Sequence, residues 1–174
     1  MNTHSRIGQP CHVAPQVRDA NPVDRPAVDA LHDAVWGGPV VVGHGRAFDL
    51  RTLPALVAEG PDGRLVGALA YEVADSALEV VSIVADPPGA GAGGALLDAA
   101  VGVARAARAN RVWLVTTNDN LDALRMYQRH GMRLMRLDPG AVDRSRALKP
   151  AIPLVGAYGI PLRDELTLEL RLDG

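Results

Sequence analysis

Apolar positions along this chain alternate between a helical period and a strand period. From Pro22 to Val35, PVDRPAVDALHDAV sets Val28, Leu31 and Val35 at helical spacing, and Asp24 before Arg25 and Pro26 reads as an N-cap. The β-branched run Val40 to Val42 then leads into Gly43-His44-Gly45-Arg46. Leu53 to Ala58, the turn EGPDGR, Leu65 to Val73, a second turn at Ala74 to Ser76, and Leu78 to Ala85 follow in order. Three strands joined by short polar turns predict an antiparallel meander.

After Ala85 the period changes. Ala95 to Arg108 places Leu96, Leu97, Ala100, Val101 and Ala104 on one helical face, and Arg111 to Thr117 (RVWLVTT) is a short apolar strand. Strand, glycine turn, helix and strand make a βαβ unit with a right-handed crossover and parallel strands. Asp119 or Asn120 is expected to cap a helix running through Arg129, with Gly131 as a left-handed stop. Met132 to Leu137 and the alternating ELTLELRL from Glu165 to Leu172 supply two closing strands. Between them, Asp138 to Asp164 is rich in Pro and Gly and reads as an irregular connection, a functional or interface element. Residues 1 to about 21 lack periodicity and are expected to be ordered only where they pack on the body. The predicted fold is a single α/β (α+β) domain over 1–174, with a mixed, mostly antiparallel sheet, one parallel crossover and flanking helices.

Composition narrows the classes of function. A length of 174 residues suits one domain that buries roughly 70% of its unfolded surface. A formal charge of -2 without a basic cluster argues against nucleic acid or an anionic membrane as partner. The first twenty residues carry His4, Arg6, Pro10, His12, Pro15 and Arg18 but no apolar core of a secretory signal, which points to the cytoplasm. A single cysteine, Cys11, makes no intrachain disulfide and reads as a bystander; the five histidines show no metal-binding spacing, so no metal is expected.

The stretch Asp86 to Ala95, DPPGAGAGGA, carries both GxGxxG (Gly89, Gly91, Gly94) and GxGxG (Gly89, Gly91, Gly93). In a dinucleotide fold the first fingerprint opens the sheet and an acidic residue, here Asp119, binds the ribose. About eighty residues precede these glycines and one clear βαβ unit surrounds them, which disfavours an NAD-dependent oxidoreductase. In the other reading the turn exposes backbone N–H groups at the positive end of a helix, an arrangement suited to any pyrophosphate.

Meander, GxGxG turn, helix, strand and then Asn120-Leu-Asp-Ala-Leu-Arg-Met-Tyr127-Gln-Arg-His-Gly131 together resemble the GNAT superfamily of acetyl-CoA-dependent N-acetyltransferases, over roughly Leu65 to Leu137. The resemblance is to bacterial members with the run T-T-N-D-N-x-x-A-L-x-x-Y-Q and the ending G-I-P-x-x-D-E. It implies that Gly89, Gly91 and Gly93, with N–H groups reaching to Gly94 and Ala95, hold the pyrophosphate of coenzyme A. It further implies that Ile83, Val84 and Ala85 pair with the pantetheine arm, that the two central strands splay, and that N–H groups near Val84 polarise the thioester carbonyl. The family usually has Gln or Arg before the first glycine; this chain has Pro88 after the clipped Ala85-Asp86-Pro87.

Asn120 and Tyr127 are two helical turns apart, about 10 Å along the axis, so one extended ligand can touch both. Resemblance makes Tyr127 the general acid for the departing thiolate and Asn120 a cofactor contact; the bland alternatives are a core aromatic and a helix cap. An amine acceptor must lose a proton, since an alkylamine has a pKa of about 10.4. Glu79 stands four residues before Ile83 on a strand, hence on the same face, and is either the base beside the acceptor or a solvated carboxylate. His44 is a second candidate, as base or acceptor contact, against an exposed turn histidine. Arg144, Arg146 and Lys149 in the 141–164 loop either greet an acidic acceptor or form a solvated face. The expected activity is acetyl transfer from acetyl-CoA to a small-molecule or protein amine, with a homodimer left open as the assembly; a CoA-binding protein of this fold without catalysis is the alternative.

Overall fold

A computed structural model describes residues 14–172, so Cys11 and most of the aperiodic N-terminal stretch lie outside the described residues. Nine strands are present: β1 (Gln16–Asp19), β2 (Val40–Gly43), β3 (Arg46–Asp49), β4 (Ala55–Glu59), β5 (Leu65–Ala74), β6 (Ala77–Ala85), β7 (Arg111–Thr117), β8 (Arg133–Asp138) and β9 (Glu165–Arg171). Four helices accompany them: α1 (Arg25–Trp36), α2 (Ala92–Ala106), α3 (Leu121–Arg129) and α4 (Ala141–Leu148). Seven strands form one sheet in the order β1-β4-β5-β6-β7-β9-β8, and β2 and β3 make a separate hairpin. Only β6 and β7 run parallel; every other neighbouring pair is antiparallel. The predicted mixed sheet with one crossover is what the chain forms, and a doubly wound dinucleotide sheet is not.

Helices cover both faces. On one, α2 inserts Leu96, Leu97, Ala100 and Ala104 against Leu69, Leu78, Val112, Leu114 and Leu168, with Tyr127 and Met132 at the margin. Each fully buried leucine contributes roughly 1.5–3 kcal/mol relative to exposure. On the other face α1 lays Val28 over Val57, Ala68 and Val84, while Val41, Phe48 and Leu50 pack with Ala70 nearby. Burial on both faces explains why β5 and β6 read as apolar runs rather than alternating ones.

The described part of the aperiodic start packs on the body, where β1 pairs with β4 as an edge strand. Other expectations are corrected. Asp24 does not cap α1 through its side chain. Its carboxylate instead accepts from the Asn21 N–H and from both Arg18 terminal nitrogens, which holds it well below the usual carboxylate range, at about 2. The buried face of α1 is Val28 and His32, and Val35 is exposed. Asp138 to Asp164 is not irregular throughout, because α4 lies within it.

Candidate active site

The central feature is a fork between β6 and β7. Their pairing joins Ala77–Val80 to Arg111–Leu114 and goes no further. Beyond it β6 stays with β5 and β7 stays with β9, so the facing edges from Val81 and Val115 onward have no strand partner. The break coincides with a bulge: the β5 register jumps from Ser82 to Val80 between Ala70 and Tyr71, leaving Val81 extra. A bulge bends its strand and increases the twist, which turns β6 away from β7. In the fork opens a cavity of about 520 Å³.

The same bulge reverses the side-chain alternation. Leu78 and Val80 face the α2 core, and so do Ile83 and Ala85, which have the opposite parity. Glu79 therefore does not share the face of Ile83, contrary to the i, i+4 expectation. It points with Val81 toward the β2–β3 side, and it still lines the cavity.

There Glu79 meets His44. The sequence Gly43-His44-Gly45-Arg46 closes the β2–β3 hairpin with His44 and Gly45 both at positive φ (41° and 80°), the backbone of a two-residue primed turn. This turn directs the imidazole inward: Nε2 is hydrogen-bonded to Glu79 Oε1 at 2.8 Å, and the ring sits between Phe48 and Trp113. The bond to Glu79 raises the His44 pKa above its ordinary 6.5. His44 N–H also donates to Glu165 Oε2 (2.9 Å), and Ser145 Oγ–H donates to Glu165 Oε1 (3.3 Å). Glu165, buried at the start of β9, is a site residue that sequence reasoning missed; it read only as the first position of an alternating strand.

Tyr127 and Asn120 approach from α3. Tyr127 is 4% exposed, lines the cavity, and has its phenol pKa pushed upward by burial, so it is held protonated. Asn120 occupies the N-cap position without a capping bond; its Nδ2–H donates to Thr116 Oγ1 at 3.0 Å. Asp119 does not cap α3 either. Its Oδ1 accepts from Thr117 Oγ1–H (2.5 Å) and its Oδ2 from the Ala157 N–H (2.8 Å), so it anchors the loop after α4. A Cβ on Gly156 would lie 2.0 Å from Asp119 Oδ2, so only glycine admits this contact. Asn118 adds three bonds, accepting from Arg163 and Asp164 N–H and donating to Pro161 O.

The three basic residues singled out in that segment, Arg144, Arg146 and Lys149, are committed elsewhere. Arg144 pairs with Asp138; Arg146 pairs with Asp143 and donates to the carbonyls of Ile152, Pro153 and Leu162. Lys149 Nζ donates to Trp36 O (2.7 Å) and Val40 O (2.8 Å). They bind the loop to the body and are not arrayed for an acidic acceptor.

At the other end of the fork lies the glycine turn. Gly89 (φ 81°) and Gly91 (φ 92°) supply the left-handed conformations, and beyond both the space is open. Helix α2 begins at Ala92, so Gly93 and Gly94 are helical rather than part of the turn. The N–H groups of Ala92, Gly93 and Gly94 occupy the first turn, where an α-helix offers no acceptor. The Ala95 N–H is already used by Gly91 O (3.0 Å), which removes it from the expected anion cradle. Gly93 and Gly94 serve a second purpose, because a Cβ there would meet Met126 Sδ at 3.1 Å and His130 Nε2 at 2.8 Å. Their smallness lets α3, and Tyr127 with it, come close to the turn.

Residues 27–132 match the acetyltransferase (GNAT) family. The chain belongs to that family. Two Bacillus subtilis (strain 168) proteins described as uncharacterized are similar in sequence: YxbD is 36% identical over 84% of this chain and 92% of its own, and YdhI is 33% identical over 79% and 86%. Among solved structures, the IAA acetyltransferase from Bacillus cereus ATCC 14579 superposes with a TM-score of 0.73 at 20% identity, covering 91% of this chain and all of that one. A Bacillus subtilis acetyltransferase in complex with CoA gives 0.70 at 21% identity, covering 91% and 99%. These two show a shared fold. In this GNAT domain the free N–H groups at the start of α2 suit a pyrophosphate, and the unpaired edge of β6 suits an amide-bearing arm laid alongside it, so the residues present fit coenzyme A.

Proposed function

We propose that this protein transfers an acetyl group from acetyl-CoA to a primary amine by direct attack. The observation that carries this reading is the convergence, in one fork, of a helix N-terminus, an unpaired strand edge, a proton-holding tyrosine and a histidine–carboxylate pair. Gly89 and Gly91 shape the turn; Ala92, Gly93 and Gly94 offer N–H groups to the pyrophosphate; the backbone of Ile83 to Ala85 aligns the arm. Acetyl-CoA supplies an acetyl carbonyl activated as a thioester. Asn120, tied to Thr116, lines the same wall.

Within the pair, His44 Nε2 and Glu79 Oε1 are engaged with each other. The amine proton is therefore taken up at Glu79 Oε2 or His44 Nδ1, and Glu165 fixes the His44 backbone so that the imidazole stays in register. Tyr127 Oη keeps its proton because burial disfavours the phenolate. A thiolate of pKa about 8.5 is a weaker base than the phenolate, so full proton transfer from Tyr127 to sulfur is uphill; Tyr127 instead donates a hydrogen bond to the negative charge growing on the leaving sulfur, which departs as thiolate and takes its proton from solvent. Backbone N–H groups on the free edge of β6 stand ready to polarise the carbonyl.

The test is calorimetric titration with acetyl-CoA and, in parallel, NAD, followed by thiol release with an amine panel. Saturable binding of acetyl-CoA alone, with Tyr127→Phe binding normally but turning over about 10²- to 10⁴-fold more slowly, is expected. Binding of NAD in place of acetyl-CoA, or full activity of Tyr127→Phe, would contradict the proposal.

A further inference from the structure

The acceptor half of the cavity has a composition of its own. Its walls are Trp36, Val41, Phe48, Val142, Ile152 and Leu162, with the Trp36 indole fixed by a bond from Nε1–H to Ser82 Oγ (3.0 Å). Among the described residues four charged side chains besides His44 reach the lining, Glu79, Asp119, Glu165 and Lys149, and no arginine does. Both Asp119 oxygens are bonded, one to Thr117 and one to the Ala157 N–H. Glu165 is bonded to the His44 N–H and to Ser145. Lys149, the chain's single lysine, has its ammonium on two carbonyls and bridges the end of α4 to the rim at Trp36 and Val40. Among the described residues only Glu79 Oε2 is left as an unshared carboxylate oxygen facing the space.

This distribution selects by charge and by shape. A protonated amine finds one carboxylate oxygen beside an imidazole. A carboxylate or phosphate on the same molecule would be desolvated beside three acidic side chains, with no guanidinium among the described residues to receive it and with the Lys149 ammonium already engaged by two carbonyls. A second ammonium would be pressed against apolar walls. A polypeptide would have to displace the 156–164 segment, which lines the cavity through Gly156, Ala157 and Leu162 and which Asn118 and Asp119 fasten to the end of β7 with bonds to Ala157, Pro161, Arg163 and Asp164. The whole fork holds about 520 Å³, and the acceptor shares that volume with the reacting end of the coenzyme A arm, which leaves space for a small molecule.

We infer that the acceptor is a small monoamine with an apolar or aromatic body and no anionic group, an inference that rests on the amine-acetylating reading above. The probes are 2-phenylethylamine, L-phenylalanine, spermidine and a short peptide with a free alanine N-terminus. Each is titrated calorimetrically into the full chain with and without CoA, and each is offered with acetyl-CoA for thiol release. The expected result is binding of 2-phenylethylamine, a kcat/KM at least ~100-fold above that of L-phenylalanine, and weaker 2-phenylethylamine binding in Glu79→Gln. Preference for L-phenylalanine, spermidine or the peptide, or no binding of 2-phenylethylamine, overturns the inference while leaving amine acetylation standing wherever another probe is consumed. Selective binding of 2-phenylethylamine without thiol release supports the acceptor class and overturns the catalytic reading instead.

Discussion

His44 links pH to rate and to stability through one imidazole, and the two links run in opposite directions. The bond to Glu79 lifts its folded pKa above 6.5, so the native state holds the proton longer than the unfolded chain does. The resulting stabilisation is complete below pH 6.5 and is lost as pH rises through the folded value. Of the two acceptors proposed for the amine proton, His44 Nδ1 serves only in the neutral ring, so a rate that runs through His44 climbs over that same interval. We predict an acidic limb of kcat/KM centred above pH 6.5, a loss of about 10²- to 10⁴-fold in His44→Gln at neutral pH, and a melting-temperature deficit of that variant that narrows as pH rises. His32 has the opposite sign. It is 1% exposed, its Nε2 has no partner among the described residues, and burial lowers its pKa, so protonation of the unfolded chain below pH 6.5 draws stability away. Replacing an unsatisfied buried group by an apolar one of similar size should gain about 1 kcal/mol, seen as a rise of roughly 2–4 °C in Tm for a chain of this length. Scanning fluorimetry of His32→Leu at pH 7 and pH 5.5 tests it; the gain should be larger at the lower pH, and an unchanged Tm at both would refute it.

Between elements, small residues set distances that periodicity does not encode. Gly67 on β5 is the case with most leverage: a Cβ there would lie 2.9 Å from the Val84 carbonyl oxygen and 3.0 Å from Leu96 Cδ1. The carbonyl cannot move without moving β6, so Gly67→Val must push α2 off the sheet, at a cost of about 1–3 kcal/mol. Because α2 carries the N–H groups offered to pyrophosphate, this variant should lose both thermal stability and acetyl-CoA affinity, measured by fluorimetry and calorimetry; retained affinity would separate the cradle from the seat of α2. In the sequence Gly67 is an interruption in an apolar run and nothing more. The meander, the crossover, β7 and β9 were legible because each is a run of one period bounded by turn residues. The bulge at Val81 was not, since VVSIV alternates equally well in either register, and with it went the face of Glu79. Helix α4 was hidden by its Pro- and Gly-rich flanks, and α2 was started too late because Gly93 and Gly94 have poor helix propensity that tertiary contact overrides. The glycine turn is legible from its spacing, whereas the roles expected of Asn120 and Tyr127 rest on the resemblance of their motif. The His44–Glu79 contact and the Glu165 support join residues far apart in the chain, a relation no local pattern contains.

At the scale of the whole molecule, the sheet is two blocks, β1-β4-β5-β6 and β7-β9-β8, whose strands are joined by the pairing of Ala77–Val80 with Arg111–Leu114. Past that hinge the blocks diverge, and a ligand lying in the fork replaces the missing strand contact on both sides. Binding to the native state alone adds about 2.7 kcal/mol when the ligand is present at one hundred times its Kd. At 2–4 °C per kcal/mol for a chain of this length, acetyl-CoA at that level should raise Tm by about 5–11 °C. The gain has a location as well as a size. Amide exchange should slow at residues 81–85 and 115–117, on the two edges of the fork, and at 92–94 where α2 begins, while the outer strands β1 and β8 change little. NAD at the same concentration should leave both Tm and exchange unaltered. A Tm shift without protection at the fork would place the ligand elsewhere on the molecule, whereas protection confined to 92–94 would mean that the pyrophosphate is held but the arm does not lie along β6.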